Sequence, residues 1–299
     1  MGASVAHLET ILDRFRVTSG RKLRLADIDP ADTAGLDLAK DEADAILARD
    51  VKRLAELQSL LYAQDRWSLL CIFQAMDAGG KDGTIKHVMS GVNPQGVQVS
   101  SFKEPGPEEL AHGFLWRVTR KLPARGQIGI FNRSHYEDVL VVRMHPELLA
   151  AQRLPHAAHG KEFWRHRFED IVAFETYLAR QGMVVLKFFL HISRSEQKRR
   201  LLARLDDPHK NWKYRPTDLA ERQYWDGYIA AYEEAIAATA KPHAPWFIVP
   251  ADHKWFAHLL VVAAMIEALQ RLDLSYPAPT AAQRDLIAAA RAQLATDPD

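Results

Sequence analysis

Apolar positions along this chain recur at two different periods. Leu47, Val51, Leu54 and Leu61 stand at helical spacing and predict a helix over Glu42–Tyr62. A short, unbroken apolar run follows at Ser68–Phe73, which suits a strand buried on both faces. Val97–Phe102 and Gln127–Phe131 read as two more strands, with a helix between them carrying Leu110, Phe114, Leu115 and Val118 on one face. Trp164, Phe168, Ile171, Val172 and Leu178 mark the next helix. Val184–Ile192 is a strand, apolar except for Lys187 and His191. Trp246–Val249 is another, and Trp255–Leu272 closes the chain as a helix. Strands that alternate with helices predict an α/β fold, a parallel sheet covered on both faces. No internal repeat or low-complexity linker interrupts the order.

The first forty residues do not follow this rhythm. Asp27, Asp29, Pro30, Asp32 and Gly35 break regular structure, and Arg14, Arg16, Arg21, Lys22 and Arg24 have no acid between them. Residues 1–40 read as an N-terminal arm, either packed over the main domain or left as a solvated basic tail. Residues 41–299 read as one domain. Composition supports a buried core: of 299 residues, 47% are hydrophobic and 26% charged. The net charge of +1 excludes a generic polyanion binder, so any basic site must come from local clustering. Neither a nucleic acid nor a membrane is expected as partner, and the longest strongly apolar stretch, Leu259–Ile266, is too short to span a bilayer. Cys71 is the only cysteine and sits in an apolar run, so a buried thiol and no intrachain disulfide are expected. Met1–Val17 lacks the apolar core of a secretory signal, and Ala6 breaks the myristoylation pattern that Gly2 would open. A reducing cytoplasm is the simplest compartment.

Candidate chemistry begins where the strand Ser68–Phe73 runs into Ala75-Met76-Asp77-Ala78-Gly79-Gly80-Lys81-Asp82-Gly83-Thr84. Against the strand–GxxxxGK[ST]–helix pattern, Gly80 and Lys81 match, Ala75 replaces the first glycine, and Asp82 replaces the residue that usually holds magnesium. The physics still suits phosphate. Gly79, Gly80 and Gly83 let backbone N–H groups turn inward, and a helix starting near Asp82 points its positive end there. Lys81 adds a mobile charge. Asp77 and Asp82 would repel phosphate on their own, so a divalent cation is the natural mediator. A glycine turn with a surface lysine is the plain alternative.

In parallel sheets ligands bind beyond the carboxyl ends of the strands. Lys103-Glu104-Pro105-Gly106 follows one strand, and Asn132-Arg133-Ser134-His135-Tyr136-Glu137-Asp138 follows another. Arg133 can stabilise charge on a transferring phosphoryl group, or form a salt bridge with Glu137 or Asp138. The region Arg194–Arg215 is basic: Arg194, Lys198, Arg199, Arg200 and Arg204 precede the break at Asp206-Asp207-Pro208, and Lys210, Lys213 and Arg215 follow. It reads as a lid closing over phosphates or as a solvated helix face, and Arg199 and Arg200 singly fit the second reading better. His156, His159 and His166 match no zinc spacing, and Ser134–His135 does not define a nucleophile and base.

Taken together, Gln74–Lys86, Gly91–Gly96, Ser101–Pro105 and Phe131–Val142 resemble the polyphosphate kinase 2 family. The similarity continues through Lys187–Arg204, Asp207–Arg222 and Ala244–Asp252, and a more distant likeness to thymidylate kinase shows in Lys103–Gly106 and Asn132-Arg133. The resemblance implies a three-layer α/β/α P-loop kinase fold with a helical lid at about residues 194–222. It implies phosphoryl transfer between inorganic polyphosphate and adenine or other nucleotides, with Mg²⁺ or Mn²⁺. Asp77 and Lys81 would belong to the Walker A loop and Arg133 to the Walker B region; these three are the catalytic candidates. Gly79, Gly80, Lys81, Asp82, Gly83, Thr84, Arg194, Lys198, Arg204, Lys210 and Lys213 would bind phosphate. Lys103, Glu104, Asn132, Arg133 and Glu137 would meet the nucleotide. Many members carry aspartate where this chain has Asn132. With Glu137 and Asp138, that looks like the subgroup acting on nucleoside mono- and diphosphates. Asp77 is then the first metal candidate, with Glu137 and Asp138 next. The rivals are an ATP-dependent nucleoside monophosphate kinase and a non-catalytic polyanion binder. Base preference, direction and homo-oligomeric state stay open.

Overall fold

The computed structural model describes residues 5–155, 160–214 and 216–297; Met1, Gly2, His156, His159 and Arg215 lie outside the described residues. Six strands form one sheet: β1 (Arg16–Val17), β2 (Ser68–Ala75), β3 (Val97–Ser101), β4 (Ile128–Asn132), β5 (Met183–His191) and β6 (Trp246–Pro250), in the order β1-β6-β5-β2-β4-β3. β2 is buried at every position, because it lies between β5 and β4 with helices on both faces. Cys71 is buried within it. The pairs among β2–β6 are all parallel, so their carboxyl ends open on one side.

One face is covered by the helices Lys40–Gln64 and Lys254–Gln270, which pack on each other, and Lys254–Gln270 also packs on the phosphate-loop helix Lys81–Val88. The other carries Gly160–Arg180 and Trp225–Thr239. This is the α/β/α arrangement expected, with one addition. The sheet gains an antiparallel edge strand, because Arg16 and Val17 pair with Phe247 and Trp246. Before and after β1, Ile11, Leu12, Phe15 and Leu25 are buried, Arg16 pairs with Glu267, and the Leu25 N–H donates to Glu233 Oε2 at 2.7 Å. The arm's basic residues masked this apolar set.

Two helical expectations change. Leu110–Val118 is not one helix but two short ones, Pro107–Leu110 and Trp116–Thr119. Gly113 lies between them, and a glycine interior destabilises a short helix. Trp255–Leu272 does not close the chain either: a capped helix follows at Ala281–Ala295, with no buried residue. Trp225–Thr239 escaped the sequence reading, although it buries Tyr228, Ala231, Tyr232, Ala235 and Ile236 against the sheet side.

Candidate active site

The turn between β2 and the helix Lys81–Val88 is built from its backbone. The Gly79 N–H donates to Met76 O at 2.9 Å. Ala78 takes φ +59°, a left-handed conformation that strains a residue bearing a Cβ by about 1–2 kcal/mol. A Cβ on Gly79 would lie 2.5 Å from that of Ala75, and Gly80 adopts φ +98°, so both positions demand glycine. Thr84 is the first residue of the turn whose N–H is taken up by the helix, on Gly80 O at 2.9 Å. Among the described residues the N–H groups of Gly80, Lys81, Asp82 and Gly83 make no hydrogen bond. A row of open donors at a helix start is a ready anion site.

Side chains from two adjacent strand ends meet over this row. Lys81 Nζ donates to Ala75 O at 3.1 Å. From the end of β4, Asn132 Nδ2 donates to Asp82 Oδ1 at 2.6 Å. Arg133 stands 3.4 Å from Asp77 Oδ1 and 3.8 Å from Glu137 Oε2. It too is left-handed, at φ +64°, while its N–H extends the ladder to Phe73 O at 3.0 Å. Strained non-glycine backbone of this kind persists where surrounding structure over-determines it. Here the buried Gln74 amide supplies that support: with its amide turned so that the nitrogen faces Glu137, it donates to Glu137 Oε1 at 2.9 Å and accepts from Ser134 Oγ and N.

Electrostatics follow from burial. Desolvation, reinforced by the Arg133 charge, pushes the Lys81 ammonium below its ordinary range. Burial pushes the Glu137 carboxyl up, and Arg133 and Lys81 only partly counter it. Glu137 first, and Asp77 with it, raise Arg133. A cationic pair and a carboxylate pair therefore share one partly desolvated cleft. Such a cleft can hold a polyanion in line and neutralise charge as it moves.

The Polyphosphate kinase 2 (PPK2) family model matches residues 37–276. The chain belongs to the polyphosphate kinase 2 family. It is 48% identical over 282 residues to the ADP-polyphosphate phosphotransferase of Rhodopseudomonas palustris, covering 94% of this chain and 97% of that protein. It is 45% identical to the AMP/ADP-polyphosphate phosphotransferase of Meiothermus ruber, covering 92% of this chain and 99% of the other. The crystal structure of Polyphosphate Kinase 2 from Arthrobacter aurescens TC1 superposes with a TM-score of 0.83 at 42% identity, covering 93% of this chain and 96% of that one.

Within this polyphosphate kinase 2 fold not every candidate reaches the cleft. Asp138 does not join Asp77 and Glu137. Its carboxylate accepts from Gln152 at 2.7 Å and lies 3.5 Å from Arg167, a buried pair of its own. Thr84 is buried in the helix below the loop. Lys103 and Glu104 are exposed after β3, where Lys103 O accepts from Arg117 at 2.8 Å, and neither side chain contacts the cluster among the described residues. Arg194 and Lys198 are exposed on the helix Arg194–Asp206, Arg204 is partly buried there, and Lys210 pairs with Asp207 at 2.5 Å. Lys213 closes the turn Asn211–Lys213, and its side chain lies outside the described residues. Arg199 is exposed and pairs with Glu196, as a solvated face requires.

Arg200 corrects that reading. It is buried, and its guanidinium donates to Ala78 O at 3.2 Å and Gly79 O at 3.0 Å. Gln197, also buried, donates to Asp77 O at 2.9 Å. Position alone could have hinted at it, since both residues share a helix face with the buried Leu201. A second set was missed beneath Arg133. Lys187 and Glu175, both fully buried, form an ion pair, and Tyr136 donates to Glu175 Oε1 at 2.8 Å. An isolated lysine within an apolar strand was the available signal.

Proposed function

We propose that this chain transfers a phosphoryl group from inorganic polyphosphate to ADP and AMP, as the names of its relatives in R. palustris and M. ruber suggest. One observation carries the reading. The open N–H row at Gly80–Gly83 and the Asp77–Arg133–Glu137 group lie at the ends of adjacent parallel strands, in a chain of this family.

The acceptor is a nucleotide phosphate oxygen, already ionised near neutral pH, so no strong general base is required. Backbone donors of Gly80–Gly83 and the Lys81 ammonium hold the phosphates. Arg133, delocalised and permanently charged, neutralises charge on the passing phosphoryl group. To reach it, Arg133 exchanges part of its bonding to Asp77 and Glu137 for phosphate oxygens. Asn132, with Lys103 and Glu104, faces the nucleotide side. Arg194, Lys198, Arg204 and Lys210 guide the polyphosphate chain, and lid closure excludes water as competing acceptor.

A divalent cation fits the donor set in part. Hard carboxylate oxygens of Asp77 and Glu137 suit Mg²⁺ or Mn²⁺, which keep several waters and take their remaining ligands from phosphate. Among the described residues no three acidic, histidine or cysteine side chains converge, so the protein alone offers an incomplete shell. Asp138 is left out because Arg167 and Gln152 occupy it. The cation would offset phosphate charge beside these carboxylates.

No described helix is long and apolar enough to cross a membrane. The decisive experiment supplies polyphosphate, Mg²⁺ and either ADP or AMP. ATP should form from ADP, and ADP then ATP from AMP. Transfer to ADP alone removes the AMP claim. Turnover with ATP, and none with polyphosphate, as donor would favour a nucleoside monophosphate kinase.

A further inference from the structure

Two buried side chains of the helix Arg194–Asp206 grip the phosphate loop from behind, and no step above uses them. Arg200 distributes all its donors. Nε donates to Glu196 Oε1 at 2.6 Å, and one terminal nitrogen donates to Ala78 O and Gly79 O at 3.2 and 3.0 Å. The other donates to Ala251 O and, at 3.5 Å, to Asp252 O. One guanidinium thus ties the loop after β2 to the loop after β6. Gln197 Nε2 donates to Asp77 O at 2.9 Å, and its Oε1 accepts from Arg222 at 2.7 Å. Arg222 lies at the far end of the lid segment and also reaches Arg194 O at 3.4 Å.

We propose that Arg200 and Gln197 are positioning residues that hold the phosphate loop in its anion-receiving form by fixing the carbonyls of Asp77, Ala78 and Gly79. The reason lies in the peptide plane. A carbonyl and the N–H of the next residue point in opposite directions. With Gly79 O held toward Arg200, the Gly80 N–H points away from it, where it makes no hydrogen bond among the described residues. Ala78, at φ +59°, has no intrinsic reason to stay there. The clamp supplies one. Arginine is required because its planar fork reaches two loops at once, whereas a lysine offers a point charge that can satisfy one. Through Gln197 and Arg222, the loop's geometry is also bonded to the lid.

A purely adhesive role, gluing the helix to the domain, predicts loss of stability without loss of turnover per folded molecule. The test uses Arg200→Lys, Arg200→Met and Gln197→Met, with Arg199→Met as control, because exposed Arg199 pairs with the same Glu196. Each is measured well below its own melting midpoint for kcat, for KM of polyphosphate and ADP, and for calorimetric affinity toward inorganic tripolyphosphate. Misplacing the loop in Arg200→Met should lower kcat by about 10²-fold. Losing the equivalent of one inward hydrogen bond should weaken tripolyphosphate by about tenfold. Arg200→Lys should fall between Arg200→Met and the parent, Gln197→Met should lose about tenfold in kcat, and Arg199→Met should stay within about twofold. If Arg200→Met fails to fold, Arg200→Lys and Gln197→Met decide. Folded variants at these two positions with kcat and tripolyphosphate affinity within about twofold of the parent overturn the proposal. The inference rests on the phosphotransferase reading, and the two fail differently. A parent protein that neither binds tripolyphosphate nor turns over sinks that reading, whereas an active parent with unaffected variants sinks only the clamp.

Discussion

Replacing Lys187 with methionine should unfold this protein more readily at pH 8 than at pH 5.5. The Lys187 ammonium is fully buried and spends its three protons on Glu175 Oε2, on Thr239 O at 2.9 Å and on Tyr136 Oη at 3.2 Å. Methionine fills similar volume but leaves Thr239 O unpaired and the Glu175 carboxylate with only Tyr136 at 2.8 Å and His135 at 3.7 Å. Breaking a buried pair from one side costs about 3–5 kcal/mol. With an unfolding entropy of about 2.1 cal/mol/K per residue, 299 residues convert that loss into a fall in Tm of about 5–8 °C. The sign with pH follows from Glu175. In the parent, burial pushes its carboxyl up, but Lys187 and His135 outweigh this and hold it below the ordinary range. Its ionised form therefore stabilises the parent above the unfolded pKa of about 4.3, and that contribution fades as pH falls through the lower folded value. Without Lys187 only desolvation and weak donors remain, so the folded pKa rises above the unfolded one. The penalty is then small at acid pH and grows by up to about 1.4 kcal/mol per pH unit as pH rises toward the new folded value. Thermal and urea melts of Lys187→Met from pH 5.5 to 8 test this, with Lys187→Met/Glu175→Gln as the reference lacking the carboxylate. A loss below about 1 kcal/mol, or one equal at both pH values, would refute the reasoning. Because Tyr136 belongs to the turn carrying Arg133 and Glu137, turnover should fall along with stability.

Three further outcomes are expected. Lys81→Ala and Arg133→Ala should each lower kcat by about 10²–10³, with melting little changed, and near-normal turnover in either removes that residue from the mechanism. Asp77→Asn should raise the Mg²⁺ concentration needed for half-maximal rate more than Asp82→Asn, since Asp77 stands beside Arg133 while Asp82 accepts from Asn132; equal, minor shifts would direct attention to Glu137. Neutralising Lys198 and Arg204 together should raise the KM for polyphosphate more than that for ADP, and salt should weaken the donor more steeply, the Debye length being about 8 Å at physiological ionic strength; equal shifts for both substrates would reduce the segment to general surface charge.

Local chemistry made much of this protein legible along the chain. Buried strands such as Ser68–Phe73 announce themselves because both faces must be apolar, and the phosphate loop does so because only glycine tolerates the turn at Gly79 and Gly80. Asp77, Lys81, Asn132 and Arg133 could be placed at strand ends, and the parallel sheet brings those ends together. Other features depended on contacts distant in sequence. Asp138 and Glu137 are adjacent and chemically alike, yet Arg167 and Gln152 draw one away while Gln74 and Arg133 hold the other. Arg199 and Arg200 are adjacent too, but helical geometry turns one to solvent and the other onto the phosphate loop. The arm shows the same dependence, because its short strand exists only where the edge of β6 offers partners. Residue type sets which bonds a side chain can make, but the cost of burying it unpaired is decided by whichever element folds against it, and that neighbour is not recorded beside it in the chain.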